Sequence, residues 1–210
     1  MTVEVKLGTL IGRRRSIRRY RTSAIRREAI ERLLLAATQA PSAHNRQPWR
    51  FAVIDDHATK ETLATAMGQR LRQDRVGDGD DPVAVEADVS RSFARITGAP
   101  TVIVVCIDTR DMDWYGDNRR RQSEFLMAVQ SAAMAAQNLL LAAEQEGLGA
   151  CVMCAPLFCP ETVTAALNLP HGWQAQMLIT IGQPDSVGKN RPRLPLADVT
   201  AWFPDNQPAK

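Results

Sequence analysis

The chain is poor in cysteine, with four in 210 residues. That is too few for a disulfide framework and fits a reducing compartment. It also lacks a long apolar run. The longest, "VIVVCI" at Val102–Ile107, falls far short of the roughly 20 residues needed to span a bilayer. The opening stretch, "MTVEVKLGTLIG", has no apolar core of the signal-peptide kind. A soluble, cytoplasmic protein is expected. Neither sign of charge dominates. Lys and Arg number 26 against 23 Asp and Glu, a net charge of +3, which does not by itself argue for nucleic acid. A Gly-rich dinucleotide fingerprint, a P-loop, H-E-x-x-H and G-x-S-x-G are all missing. Their absence disfavours a tightly held Rossmann NAD, kinase chemistry and the common hydrolases.

What is present is an ordinary globular composition, 45% hydrophobic and 23% charged, so one folded domain over 1–210 is expected. Ile30, Leu33, Leu34 and Ala37 fall at i, i+3, i+4, i+7 and predict a helix that ends before Pro41, with Thr22 or Ser23 as its cap. "RFAVIDD" (50–56) reads as a strand and "TKETLATAMGQRLRQD" as a helix. The Gly- and Asp-rich stretch 75–83 reads as a mobile loop, followed by a short helix through Phe93. "APTVIVVCID" (99–108) is apolar on both faces, hence a central strand. A long helix from Arg119 to about Gly147 is crowded with Ala, which lets neighbours approach closely. "WQAQMLITIGQP" predicts a second central strand. The Pro-rich tail, "KNRPRLPLADVTAWF", should wrap over the body. Helices and strands mix without strict alternation, so the class is α+β or α/β, with helices flanking one sheet.

Four constellations could carry chemistry. "RRRSIRRY" (13–20) offers guanidinium groups and a hydroxyl, the donors a phosphate takes, or else forms a solvated basic face. "APSAHNRQPWRF" (40–51) sets Ser42, Asn45 and Gln47 between two prolines. Their donors and acceptors suit a planar heterocycle, or they satisfy local backbone at a helix stop. His44 stands alone, and a lone His more often packs or faces water than acts as an acid. "CVMC" (151–154) is one C-x-x-C with no second pair, which favours packed free thiols over zinc or a redox dithiol. Arg191 and Arg193 in the tail could meet the same phosphate as Arg14 and Arg18, or stay exposed.

The order of these motifs is more specific than any one of them. "RRSIRRY", "APSAHNRQPWRF", an Ala-rich helix running into "GLGACVM", then "ITIGQPD" and "RPRLPL" together resemble the nitroreductase superfamily of FMN-dependent oxidoreductases. The likeness runs from about Gly12 to Asp198. "PSAHNRQPWRF" and "ARITGAPTVIVVC" are most similar to the nitroreductase-like domain of the enzyme that matures the deazaflavin coenzyme F-420, here expected as a stand-alone reductase.

The resemblance implies an α+β nitroreductase-like fold with a central mixed sheet flanked by helices. It also implies a domain-swapped type of homodimer with FMN at the interface. Arg14, Arg15, Ser16 and Arg18 correspond to the group holding the FMN phosphate, ribityl chain and ring edge. Pro41, Ser42, Ala43 and Asn45, with Gln47, match the loop that reaches across from the partner subunit. Met153, Cys154, Ala155 and Pro156 match the segment along the isoalloxazine. Arg193, with Arg191, matches the C-terminal phosphate contact. Many members carry an acidic residue and a Gly where this chain has Cys154-Ala155-Pro156-Leu157.

The resemblance further implies that the chemistry sits on flavin N5, with no catalytic side chain and no metal. NAD(P)H or another two-electron donor is the implied co-substrate. The implied acceptor is a dehydro precursor of coenzyme F-420, with a generalist nitro, quinone or ene reductase as the alternative. Arg70, Arg72 and Arg75 either meet an anionic substrate or form a solvated helix face. A third reading, a nucleic-acid-binding protein using the eight Arg from Arg13 to Arg27, predicts steep salt dependence.

Overall fold

The computed structural model describes residues 6–203, so the two ends of the expected 1–210 domain lie outside the described residues. The elements in chain order are α1 (Leu7–Arg13), α2 (Arg27–Thr38), β1 (Trp49–Ile54), α3 (His57–Gly77), α4 (Pro82–Thr97) and β2 (Thr101–Asp108). They continue with α5 (Asn118–Gln145), β3 (Gly149–Met153), α6 (Pro160–Leu167) and β4 (Trp173–Gly182). The strands form one sheet in the order β1-β2-β4-β3.

Every strand pair in that sheet is antiparallel. The expected mixed character is confined to one isolated parallel bridge, Ser16 to Ala150. The cause is the connectivity. α3 and α4 together join β1 to β2, and α5 and β3 precede β4, so each paired neighbour returns in the opposite sense.

β2 is buried at every position, as its apolar run on both faces predicts. Ile103, Val105 and Ile107 pack with α2 and α5, including Leu33, Ala132 and Leu139. Val102, Val104 and Cys106 pack on the other side with Leu63, Met67, Ile96 and Val163 from α3, α4 and α6. The sheet is thus a middle layer between two helical layers. By composition α5 is long and apolar enough to cross a membrane, but its Ala128, Ala132, Ala135 and Ala136 stripe is buried in the core.

Three local expectations change. The N-cap of α2 is Arg26, with no side-chain cap, rather than Thr22 or Ser23. The 75–83 loop shrinks to a short turn around Gly79, because Asp81 caps α4 through Val83 and Ala84 N–H and Pro82 opens the helix. α4 is therefore a 16-residue helix, not a short one. The tail is only partly wrapped. Gln183 and Asp185, just before it, hydrogen-bond the N-terminal segment, but Leu194, Leu196, Trp202 and Phe203 are exposed.

Candidate functional site

The N-terminal segment after α1 is held on both sides. Ile17 N–H donates to Ala150 O (3.0 Å), Arg21 N–H to Gln183 O (2.9 Å) and Asp185 N–H to Arg19 O (3.0 Å). The Tyr20 hydroxyl donates to Ile17 O (2.5 Å) and lies 2.8 Å from Thr180 Oγ1. Burial holds its pKa well above the usual phenol range. Two glycines let the segment lie this close. A Cβ on Gly149 would come within 2.7 Å of Ile17, and one on Gly182 within 2.7 Å of Tyr20.

This zipper brings the two ends of the chain to one cleft of about 190 Å³. Arg14, Arg15, Ser16 and Arg18 line one side, and Lys189, Asn190, Arg191 and Arg193 the other. Six cations face the space with no carboxylate in its wall. Arg15 folds back onto Gly12 O (2.6 Å) and Arg14 O (3.0 Å), and Arg18 Nη1 donates to Ser16 O (3.3 Å), which leaves Arg14 as the freer donor on that side. A dianion entering such a cleft gains charge-assisted bonds from several directions.

β3 leads away from the cleft. Ser16 is bridged to Ala150, and Met153 lies three residues further on, roughly 10 Å at a strand's rise. Cys154, Ala155 and Pro156 follow in a short 3-10 turn that ends at Phe158. Cys151 is buried and Cys154 exposed, so the expected pair of packed thiols holds only for Cys151. Burial pushes the Cys151 thiol up, against the pull of nearby Arg18. Among the described residues, no three His, Cys, Asp or Glu gather as a metal site would.

The loop between α2 and β1 is strained and tied. His44, Asn45 and Gln47 all have positive φ, near +50°, a conformation that costs ~1 kcal/mol or more for a residue with a Cβ. Ser42 Oγ accepts from Gln47 N–H (3.0 Å). Ala43 N–H donates to Ser131 Oγ on α5 (3.4 Å). Arg50 Nη1 donates to Gln47 O (2.9 Å), and Arg46 pairs with Asp113 (2.5 Å). Pro41, Ser42, Ala43, Asn45 and Gln47 are not in the walls of this chain's own basic cleft. Neither are Met153 to Pro156; Ala155 instead borders a small apolar cavity with Met67, Leu71 and Phe158.

The sequence reading missed Lys189, Asn190 and Gly188. The signal was there: "VGKN" ends on a cation and an amide just before "RPR". It also left Arg70, Arg72 and Arg75 open to substrate. Each is already paired: Arg70 with Asp74 (2.8 Å), Arg72 with Glu86 (2.7 Å), and Arg75 with Asp80 and Asp88 (2.5 Å each). Arg72–Glu86 and Arg75–Asp88 clasp α3 to α4, while Arg70–Asp74 lies within α3.

Residues 11–183 match the nitroreductase family. The chain belongs to the nitroreductase family. Among its relatives, an NADH dehydrogenase of Thermus thermophilus is 32% identical, the match covering 90% of this chain and 92% of the relative. A 5,6-dimethylbenzimidazole synthase of Rhodospirillum rubrum is also 32% identical, covering 85% and 82%. A nitroreductase-family structure from Desulfovibrio desulfuricans, solved in complex with FMN, superposes with a TM-score of 0.72 at 27% identity, covering 99% of this chain and 100% of that one.

Proposed function

We propose that this nitroreductase-family chain is an FMN-dependent oxidoreductase whose phosphate anchor is the cleft between its two ends. The single observation that carries this reading is that cleft, built by Arg14, Ser16 and Arg18 with Arg191 and Arg193. The donor set fits FMN. Cations, a hydroxyl and an amide serve a phosphate monoester, and no carboxylate opposes it. The Met153–Pro156 strip follows on β3, starting roughly 10 Å beyond the Ser16 bridge, and would serve a ring tethered through a ribityl chain. The FMN-bound neighbour and the NADH-dependent name of the Thermus relative support the cofactor and a reduced nicotinamide donor. When bound, the flavin supplies two-electron transfer between donor and acceptor.

The chain's own part is to bind and orient. Arg14, Arg18 and Arg193 hold the phosphate, with Arg15 and Arg191 beside them. The 153–156 strip would face the ring. Pro41, Ser42, Ala43, Asn45 and Gln47 present amides and a hydroxyl to a ring edge in a second copy. A homodimer with FMN at its interface accounts for two features together. The loop stands apart from its own cleft, and Leu194, Leu196, Trp202 and Phe203 lie open. The proposed setting is the cytoplasm.

For the acceptor, we infer a dehydro precursor of coenzyme F-420. Its phosphodiester would meet cations left over once one phosphate is bound, with Lys189 at the cleft edge. A generalist nitro, quinone or ene reductase is the second reading. It is favoured by the ion pairs of Arg70, Arg72 and Arg75, which remove them from substrate contact. Purified protein with FMN and NAD(P)H, offered the precursor beside quinones and nitroaromatics, separates them. A kcat/KM for the precursor well above every other acceptor supports the first. Broad turnover without the precursor supports the second. No turnover with any acceptor overturns the oxidoreductase reading itself.

A further inference from the structure

The loop at 41–47 cannot hold its shape alone. Three residues with Cβ atoms sit in the left-handed region within four positions, and such a conformation persists only where the surroundings over-determine it. Two tethers reach it from rigid elements. The first is Ser131, on the inner stripe of α5 and 1% exposed. Its Oγ donates to Met127 O (2.7 Å) and accepts from Ala43 N–H (3.4 Å). Its neighbours on the stripe, Ala128, Ala132 and Ala135, carry no polar group, and among the described residues its hydroxyl is the α5 side chain that hydrogen-bonds the loop.

The second tether is Arg50. Its Nη1 donates to Gln47 O (2.9 Å) and Trp49 O (2.8 Å), and its Nη2 lies 3.6 Å from Asp108 Oδ2. Asp108 is 2% exposed at the end of β2, where Arg110 grips both its oxygens (2.9 and 2.6 Å). Its own N–H donates to Pro48 O (2.8 Å). Asp108 therefore fixes the far end of the loop twice, through its backbone N–H and through its carboxylate on Arg50.

We infer that Ser131 and Arg50, the latter aimed by Asp108, are positioning residues that hold the 41–47 loop preformed for the flavin. The inference rests on the FMN reading above. Neither side chain is in the walls of the basic cleft. Each acts by keeping the amide N–H and C=O groups of Ala43 and Gln47 in place, so that binding does not have to order the loop.

The test uses the full chain and four proteins: wild type, Ser131→Ala, Arg50→Lys and Ser123→Ala. Ser123 is on the same helix and makes the same kind of bond to the carbonyl four residues back (Arg119 O, 3.1 Å), but is exposed. It controls for losing a helix hydroxyl. The readouts are the FMN dissociation constant, the melting temperature without FMN, and hydrogen exchange of the 43–47 amides without FMN. Ser131→Ala and Arg50→Lys should each weaken FMN by about threefold to tenfold, the worth of one net hydrogen bond. They should also speed exchange at 43–47 and lower the melting temperature by no more than a few degrees, the effect of about 1 kcal/mol in a chain of this size, while Ser123→Ala matches wild type. If wild type binds FMN and both variants bind it equally well, with unchanged exchange, the positioning role is overturned and the FMN reading stands. If wild type takes up no FMN, that reading falls and this inference with it.

Discussion

Gly188 packs against Arg15 so closely that a Cβ on the glycine would lie 2.4 Å from the Arg15 Cβ. Residues 173 positions apart in sequence are thus in direct contact, and the glycine is what permits it. The contact sets the width of the basic cleft. Arg191 and Arg193 can face Arg14 and Arg18 because the tail crosses the N-terminal segment at this point.

Gly188→Ala should push the tail outward. The tail beyond it is exposed, so stability should change by no more than about 0.5 kcal/mol, as for other surface positions. FMN affinity should drop several-fold. Calorimetric titration with FMN beside a thermal melt checks both. Unchanged affinity would show that the tail does not define the cleft.

Gly149→Ala has the opposite profile. The added methyl meets three Ile17 side-chain atoms at 2.7–2.9 Å, in a segment pinned by hydrogen bonds on both sides. Overpacking of that kind costs about 1–3 kcal/mol. Urea unfolding should show that loss, and a variant as stable as wild type would mean that the N-terminal segment is loosely held.

Asp108 links the β2 end to acid stability. The Arg110 side chain holds its carboxyl at about 2, against an ordinary 3.8, outweighing the opposing effect of burial. A carboxylate depressed on folding stabilises the protein above its unfolded pKa, and that stabilisation is lost as pH falls through the folded value. Wild type should therefore exceed Asp108→Asn by about 2 kcal/mol at neutral pH. The gap should close between about pH 4 and pH 2. A gap that stays constant across that range would rule out the charge as its source.

Arg75 bridges α3 to Asp80 and Asp88 at the α3–α4 junction while 30% exposed. Arg75→Ala should cost about 1 kcal/mol of stability and leave the ranking of acceptors unchanged. A selective loss of activity toward anionic acceptors would instead place Arg75 in substrate binding.

Much of the architecture was legible because its signals are periodic. The β2 run, the α5 alanine stripe and the α2 apolar face each state their element in local sequence. The α3–α4 junction was misread because "GDGDDP" satisfies a loop by composition, while Asp81 and Pro82 together also start a helix. The antiparallel order was not readable, since pairing depends on how elements fold back rather than on any strand's own residues. The motifs pointed to the two halves of the cleft. The expectation that Arg191 and Arg193 meet the same space as Arg14 and Arg18 agrees with the one cleft they line, but the Gly188 contact that permits it was not legible, since no local pattern announces a close approach between distant segments. The tethers Ser131 and Arg50 were invisible for the same reason: each serves a loop distant in sequence or turned away from its own strand.

The central claim is that both ends of the chain hold one phosphate. It is tested most directly by the FMN dissociation constant of wild type, Arg18→Ala, Arg193→Ala and the double variant. Wild type should bind FMN and show flavin absorption. Each single change should weaken binding by about tenfold to a hundredfold, the loss of one charged hydrogen bond. The double change should cost less than the product, because the two arginines share a ligand. Protein that stays colourless with excess FMN, or single changes that leave binding untouched, would contradict the account.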